Sequence, residues 1–102
     1  MPLKTNIDYS INFSPKKRKK NQIKFIIFHY TGMSNEKKAI NKLTNEKSKV
    51  SSHYFIKRNG EIVLMVPELY IAWHAGKSKW KEFRNLNSYS LGIELVNPGH
   101  QF

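Results

Sequence analysis

The uninterrupted apolar run IKFIIFHY, residues 23–30, constrains this chain more than any other segment. Eight residues rich in β-branched and aromatic side chains, followed at once by Thr31-Gly32, are too short for a buried helix and suit a strand. Because both faces of the run are apolar, it is expected to lie centrally, covered on either side. The run ends oddly: an imidazole, His29, stands where the strand reaches the surface. Ligands in α/β folds gather at the carboxyl ends of strands, so His29 is a candidate metal ligand, or else a histidine hydrogen-bonded at the sheet rim.

The rest of the chain supplies elements that such a strand can join. Ser34 is expected to cap a helix with Glu36 in its first turn, where the dipole favours negative charge. Ala39, Ile40 and Leu43 form its apolar stripe. VSSHYFIKRNGEIVLMVP, 50–67, reads as a β-hairpin turning at Asn59-Gly60 in a type I′ loop. An aromatic-rich loop, ELYIAWHAGKSKWKEF, follows, and YSLGIELV, 89–96, is another strand, ended by Asn97-Pro98-Gly99. The order β, α, hairpin, long loop, β indicates one α/β domain with a mixed sheet. Residues 1–20 read as a basic polar leader and 21–102 as the domain.

A net charge of +11 invites a nucleic-acid reading, yet only KKRKK, 16–20, forms a block. Lys, Asn and Ile make up 35 of the 102 residues, a bias that AT-rich coding produces without selection for charge. The block reads as a solvated lead-in, and no nucleic-acid partner is expected. With no cysteine, thiolate metal sites and disulfides are excluded. The N-terminus carries no apolar core of a secretory signal, and no apolar stretch would span a bilayer. The expected location is the cytoplasm, with the periplasm as the alternative.

Two further places carry chemistry. In SLGIELV the side chains alternate, which puts Glu94 on the same face as Gly92 and Val96. A carboxylate amid apolar neighbours is costly unless paired, and burial raises its pKa towards that of a general base. Glu94 is therefore a candidate base, or the partner of one of 18 basic side chains. Gly92 is expected to leave room beside it for a substrate or backbone to approach. AWHAG, 72–76, places Trp73 and His74 beside small residues on a loop, the makings of a cleft wall. His53, alternating with Phe55, reads as a satisfied histidine at the sheet rim rather than a ligand, and His100 as a residue near a fraying end.

Taken in order, IIFHYTGM, KVSSHYFIKRNGEIVLMVPE, AWHAGKSKW and NSYSLGIELVNPGH resemble the type-2, zinc-dependent N-acetylmuramoyl-L-alanine amidases, relatives of peptidoglycan recognition proteins and phage amidase lysozymes. The resemblance covers nearly everything from Ile23 onward. It implies an α/β fold with a central mixed β-sheet flanked by helices, and hydrolysis of the amide between N-acetylmuramic acid and L-alanine of the peptidoglycan stem peptide. His29 matches the family's first zinc ligand, Glu94 its catalytic glutamate, and Trp73 and His74 its substrate-side loop. The family's later helices and remaining zinc ligands have no counterpart before Phe102. The resemblance thus implies the N-terminal part of a truncated domain, an incomplete Zn2+ site, a poorly covered sheet face and a possible complementing C-terminal fragment. The alternative reading is a non-catalytic module that binds peptidoglycan or muropeptide.

Overall fold

The computed structural model describes residues 5–96 of the chain; Asn97-Pro98-Gly99 and His100 lie outside them. A five-stranded mixed sheet organises the fold. Its strands are β1 (Thr5–Ile7), β3 (Phe25–Tyr30), β4 (Tyr54–Ile56), β5 (Ile62–Leu64) and β9 (Ser90–Leu95), in the spatial order β1-β5-β4-β9-β3. Only β4 and β5 run antiparallel; β1 lies parallel to β5, and β9 lies parallel to both β4 and β3. Two two-stranded ribbons flank this sheet, β2 (Phe13–Ser14) with β6 (Ile71–Ala72), and β7 (Lys79–Trp80) with β8 (Phe83–Arg84).

The expected α/β architecture is present, with two corrections to its layout. The apolar run forms β3, but at the edge of the sheet; β9 lies inside it, between β4 and β3. Apolar residues on both faces of a strand say that both faces can be covered, and say nothing about its neighbours within the sheet. The leader is also part of the fold. Residues 5–7 pair with β5, and Ser10, Asn12 and Arg18 are buried. The Asn12 carboxamide donates to the Asn45 and Val50 carbonyls at 2.8 Å each, which ties the leader beneath the end of the helix.

That helix, α1 (Glu36–Thr44), covers one face of the sheet. Its cap is Asn35 rather than Ser34: the Asn35 side chain accepts from the Lys38 amide at 3.0 Å. Ala39 and Leu43 meet Phe55, Val63 and Met65 to form the core, with Ile40, Val50 and Val96 packed around it. The hairpin turn differs from a type I′ loop. Gly60 N–H donates to Lys57 O at 2.9 Å, Gly60 alone in the turn has positive φ (+88°), and Lys57 N–H meets Glu61 O at 2.9 Å. This is a type I turn followed by a left-handed glycine, the usual three-residue hairpin. The opposite face of the sheet has no helix over it among the described residues. Ile7, Ile26, Phe28 and Tyr30 stand about 60% exposed there, at 62%, 58%, 59% and 60%. No described helix is long and apolar enough to cross a membrane.

Candidate active site

Because β3 and β9 are parallel, their carboxyl ends open at the same edge of the sheet. Register then does the positioning: His29 pairs with Glu94, so both side chains rise from adjacent strands on the helix-covered face. They share a cavity of about 150 Å³ with Trp73, His74 and Lys42 among its lining residues. Burial raises the pKa of Glu94 above the usual carboxylate value, opposed by the positive charge of Lys42 on α1. No ion pair holds Glu94 among the described residues, so the alternative of a structural salt bridge finds no partner there.

The AWHAG segment reaches this cavity because its backbone is pinned. The Asn87 carboxamide oxygen accepts from the His74 and Ala75 amides at 3.1 and 2.8 Å. Ser51 brackets Trp73 from the other side: Trp73 N–H donates to Ser51 Oγ at 2.9 Å, and Ser51 N–H to Trp73 O at 2.8 Å. The Trp73 indole N–H donates to Ser14 Oγ at 3.0 Å, which fixes its ring as a wall.

His74 lies over Gly92. A Cβ on Gly92 would stand 2.5 to 2.8 Å from three atoms of the His74 ring. The space left by this glycine, expected to admit substrate or backbone, is thus taken by an imidazole. Both His74 nitrogens are engaged, Nδ1 with His29 Nε2 at 2.9 Å and Nε2 with Ser90 Oγ at 3.0 Å. Burial, with the neighbouring His29, His53 and Arg18 adding to it, lowers the pKa of His74 to about 3. Burial also lowers that of His29. Both rings are neutral at pH 7.

His53 is satisfied, as its sequence context suggests, but it is fully buried rather than at the sheet rim. Its Nδ1 accepts from Gly92 N–H at 3.0 Å, so its Nε2 carries the proton and donates to Tyr70 O at 2.8 Å. Burial is the main reason its pKa falls to about 4. Arg18 approaches the same ring at 3.2 Å, yet its real acceptors are carbonyls, Glu68 O at 2.9 Å and Asn87 O at 3.0 Å. Sequence reasoning did not single out Arg18 or Ser90. One signal existed for the first: it is the sole arginine among four lysines, and a planar guanidinium suits several fixed acceptors.

The chain matches the N-acetylmuramoyl-L-alanine amidase family over residues 19–102. It belongs to that family. AmiD of Escherichia coli is 40% identical over 87 residues, which are 78% of this chain and 30% of AmiD. AmpD of E. coli is 49% identical over 47 residues, 46% of this chain and 26% of AmpD. The solved complex of AmiD with anhydro-N-acetylmuramic acid-L-Ala-D-γ-Glu-L-Lys superposes with a TM-score of 0.68, covering 76% of this chain and 32% of that one. A solved AmpD, 24% identical, gives a TM-score of 0.75 over 95% of this chain and 66% of its own, a likeness of fold. The chain therefore spans about a third or less of the length of the curated relatives it matches.

A catalytic zinc site takes three protein donors. Among the described residues no group of three His, Cys, Asp or Glu side chains is placed to hold a metal ion. His29 offers one donor to the cavity; the nearby His53 and His74 have both nitrogens in hydrogen bonds. The described residues do not by themselves fit zinc.

Proposed function

We propose that this chain forms the N-terminal part of a muropeptide amidase site, with the amide between N-acetylmuramic acid and L-alanine of the stem peptide as its substrate bond. One observation carries the reading: His29 and Glu94, in register on adjacent strands, line one cavity together with Trp73 and His74. Glu94, its basicity raised by burial, takes a proton from the attacking water and returns it to the leaving amine of L-alanine. Trp73 offers an apolar wall to the sugar or the lactyl group, and Lys42 attracts the carboxylates of the stem peptide. His29 is assigned as the first ligand of the zinc on which the family's chemistry depends; the other two donors must come from outside the described residues, for example from a complementing C-terminal segment.

That the described residues supply no complete metal site favours a second reading, a module that binds muropeptide without cleaving it. Both are tested together by titrating the purified chain with an anhydro-muropeptide tripeptide, with and without added zinc, and analysing the mixture by mass spectrometry. Zinc-dependent release of free tripeptide, abolished in Glu94→Gln, supports the amidase. Binding with intact ligand supports the module. Neither binding nor release, with or without zinc, defeats both.

A further inference from the structure

Four groups form an unbroken chain of hydrogen bonds beneath the cavity. Ser90 Oγ lies 2.7 Å from Leu86 O and 3.0 Å from His74 Nε2, and His74 Nδ1 lies 2.9 Å from His29 Nε2. The direction of every proton in this chain follows from its far end. A carbonyl can only accept, so the Ser90 hydroxyl hydrogen goes to Leu86 O. Ser90 Oγ must then accept from His74 Nε2–H. A neutral imidazole with hydrogen on Nε2 has a lone pair on Nδ1, which accepts from His29 Nε2–H. His29 is left with its lone pair on Nδ1, and Nδ1 has no hydrogen-bond partner among the described residues.

We propose that His74 and Ser90 are positioning residues that lock His29 in the Nε2–H tautomer, so that its Nδ1 lone pair is the one presented at the cavity. The lock depends on geometry the chain has gone to some length to make. Gly92 leaves room for the His74 ring, the Asn87 carboxamide fixes the backbone on which that ring hangs, and Ser90 is fully buried, which shields its hydroxyl from competing water. His74 thus acts through His29 rather than on the substrate. Without it, His29 would divide between two tautomers and turn a protonated nitrogen to the cavity part of the time.

The inference rests on the reading of His29 as the group that serves the cavity, but its test is independent of turnover, so the two fail separately. The measurement is the long-range proton–nitrogen NMR spectrum of the 15N-histidine-labelled chain at pH 7. Single Nε2–H patterns for both His29 and His74 are expected. A His29 protonated at Nδ1, or averaging between the two forms, overturns the proposal. In Ser90→Ala the end of the chain is released, and His29 is expected to lose its single pattern and average; an unchanged His29 in a folded Ser90→Ala equally overturns it. Should Ser90→Ala fail to fold, the wild-type spectrum alone decides.

Discussion

A glycine in a strand usually weakens it, and Gly92 is the clearest case here of the opposite. Any side chain at 92 would enter the His74 ring, whose carbon and nitrogen atoms are held by hydrogen bonds at both ends and cannot swing aside freely. Gly92→Ala is therefore expected to cost about 1–3 kcal/mol, the usual cost of overpacking, and to break the His29–His74 contact. Urea denaturation measures the first and the His74 NMR signals the second; a variant as stable as wild type with His74 unmoved contradicts it. His53, on the strand's other side, makes a pH prediction. Its folded pKa of about 4 lies below the unfolded value of 6.5, so its contribution is whole above pH 6.5 and lost as pH falls towards 4. That single ring can remove up to about 3 kcal/mol of stability, a large fraction of what a small domain has. Urea midpoints should fall between pH 7 and pH 4, while the His53 resonances of the folded chain show no protonation until near pH 4. A His53 that titrates near 6.5 in the folded state contradicts this.

Among the elements, the leader behaves least as its composition suggests. A run of one arginine and four lysines reads as solvent-exposed because charge rarely goes inside, and no local pattern reveals that two separate carbonyl-bearing loops converge on Arg18. Arg18 gathers Glu68 O and Asn87 O, 50 and 69 positions away, and stands beside His53, 35 positions away. Arg18→Lys keeps the charge and loses the fork, leaving at least one buried carbonyl without its donor. A loss of about 1–3 kcal/mol is expected, read as a lower melting temperature, whereas Lys17→Ala, at an exposed neighbour, should change little. Equal melting of the two variants would contradict the assignment. The same contrast explains what could be read in advance. Strand, helix and hairpin were legible because their periodicity and turn residues are local, and His29 and Glu94 stood out singly; that they pair in register is set by the parallel alignment of β3 with β9, which neither strand's sequence carries. The roles of Gly92, Ser90 and Arg18 were hidden, since each depends on partners brought in by the fold: His74 over the glycine, Leu86 behind the serine, two loops around the arginine. The order of strands was hidden for a related reason. β9 is interior because β4 and β3 flank it, and nothing within SLGIEL distinguishes that from an edge.

At the scale of the molecule, the two faces of the sheet are unequal. The helix-covered face carries the core and the site. The other presents Ile7, Ile26, Phe28 and Tyr30 to solvent beside a hollow of about 390 Å³ lined by Thr5, Tyr54, Ile56, Ile62, Leu64 and Ile93. An apolar surface of this kind on a small domain promotes association, and beside it β3 is an edge strand with no outer neighbour among the described residues. The net charge of +11 works against association at low ionic strength, when like charges repel, and salt removes that protection. Self-association of the chain should therefore rise with added salt, the reverse of what a charge-driven contact would do. Replacing two of the exposed residues, Ile26→Lys with Phe28→Glu, should abolish it at a cost to folding of about 0.5 kcal/mol or less per site, as for other exposed positions. Sedimentation of wild type and variant across a salt series, with an apolar dye as a second readout, checks this. Concentration-dependent association and dye binding in wild type, lost together in the double variant, are the expected result. A wild type that stays monomeric and dye-free at high salt means that this face is covered, and the exposure assigned to Ile26 and Phe28 is then wrong.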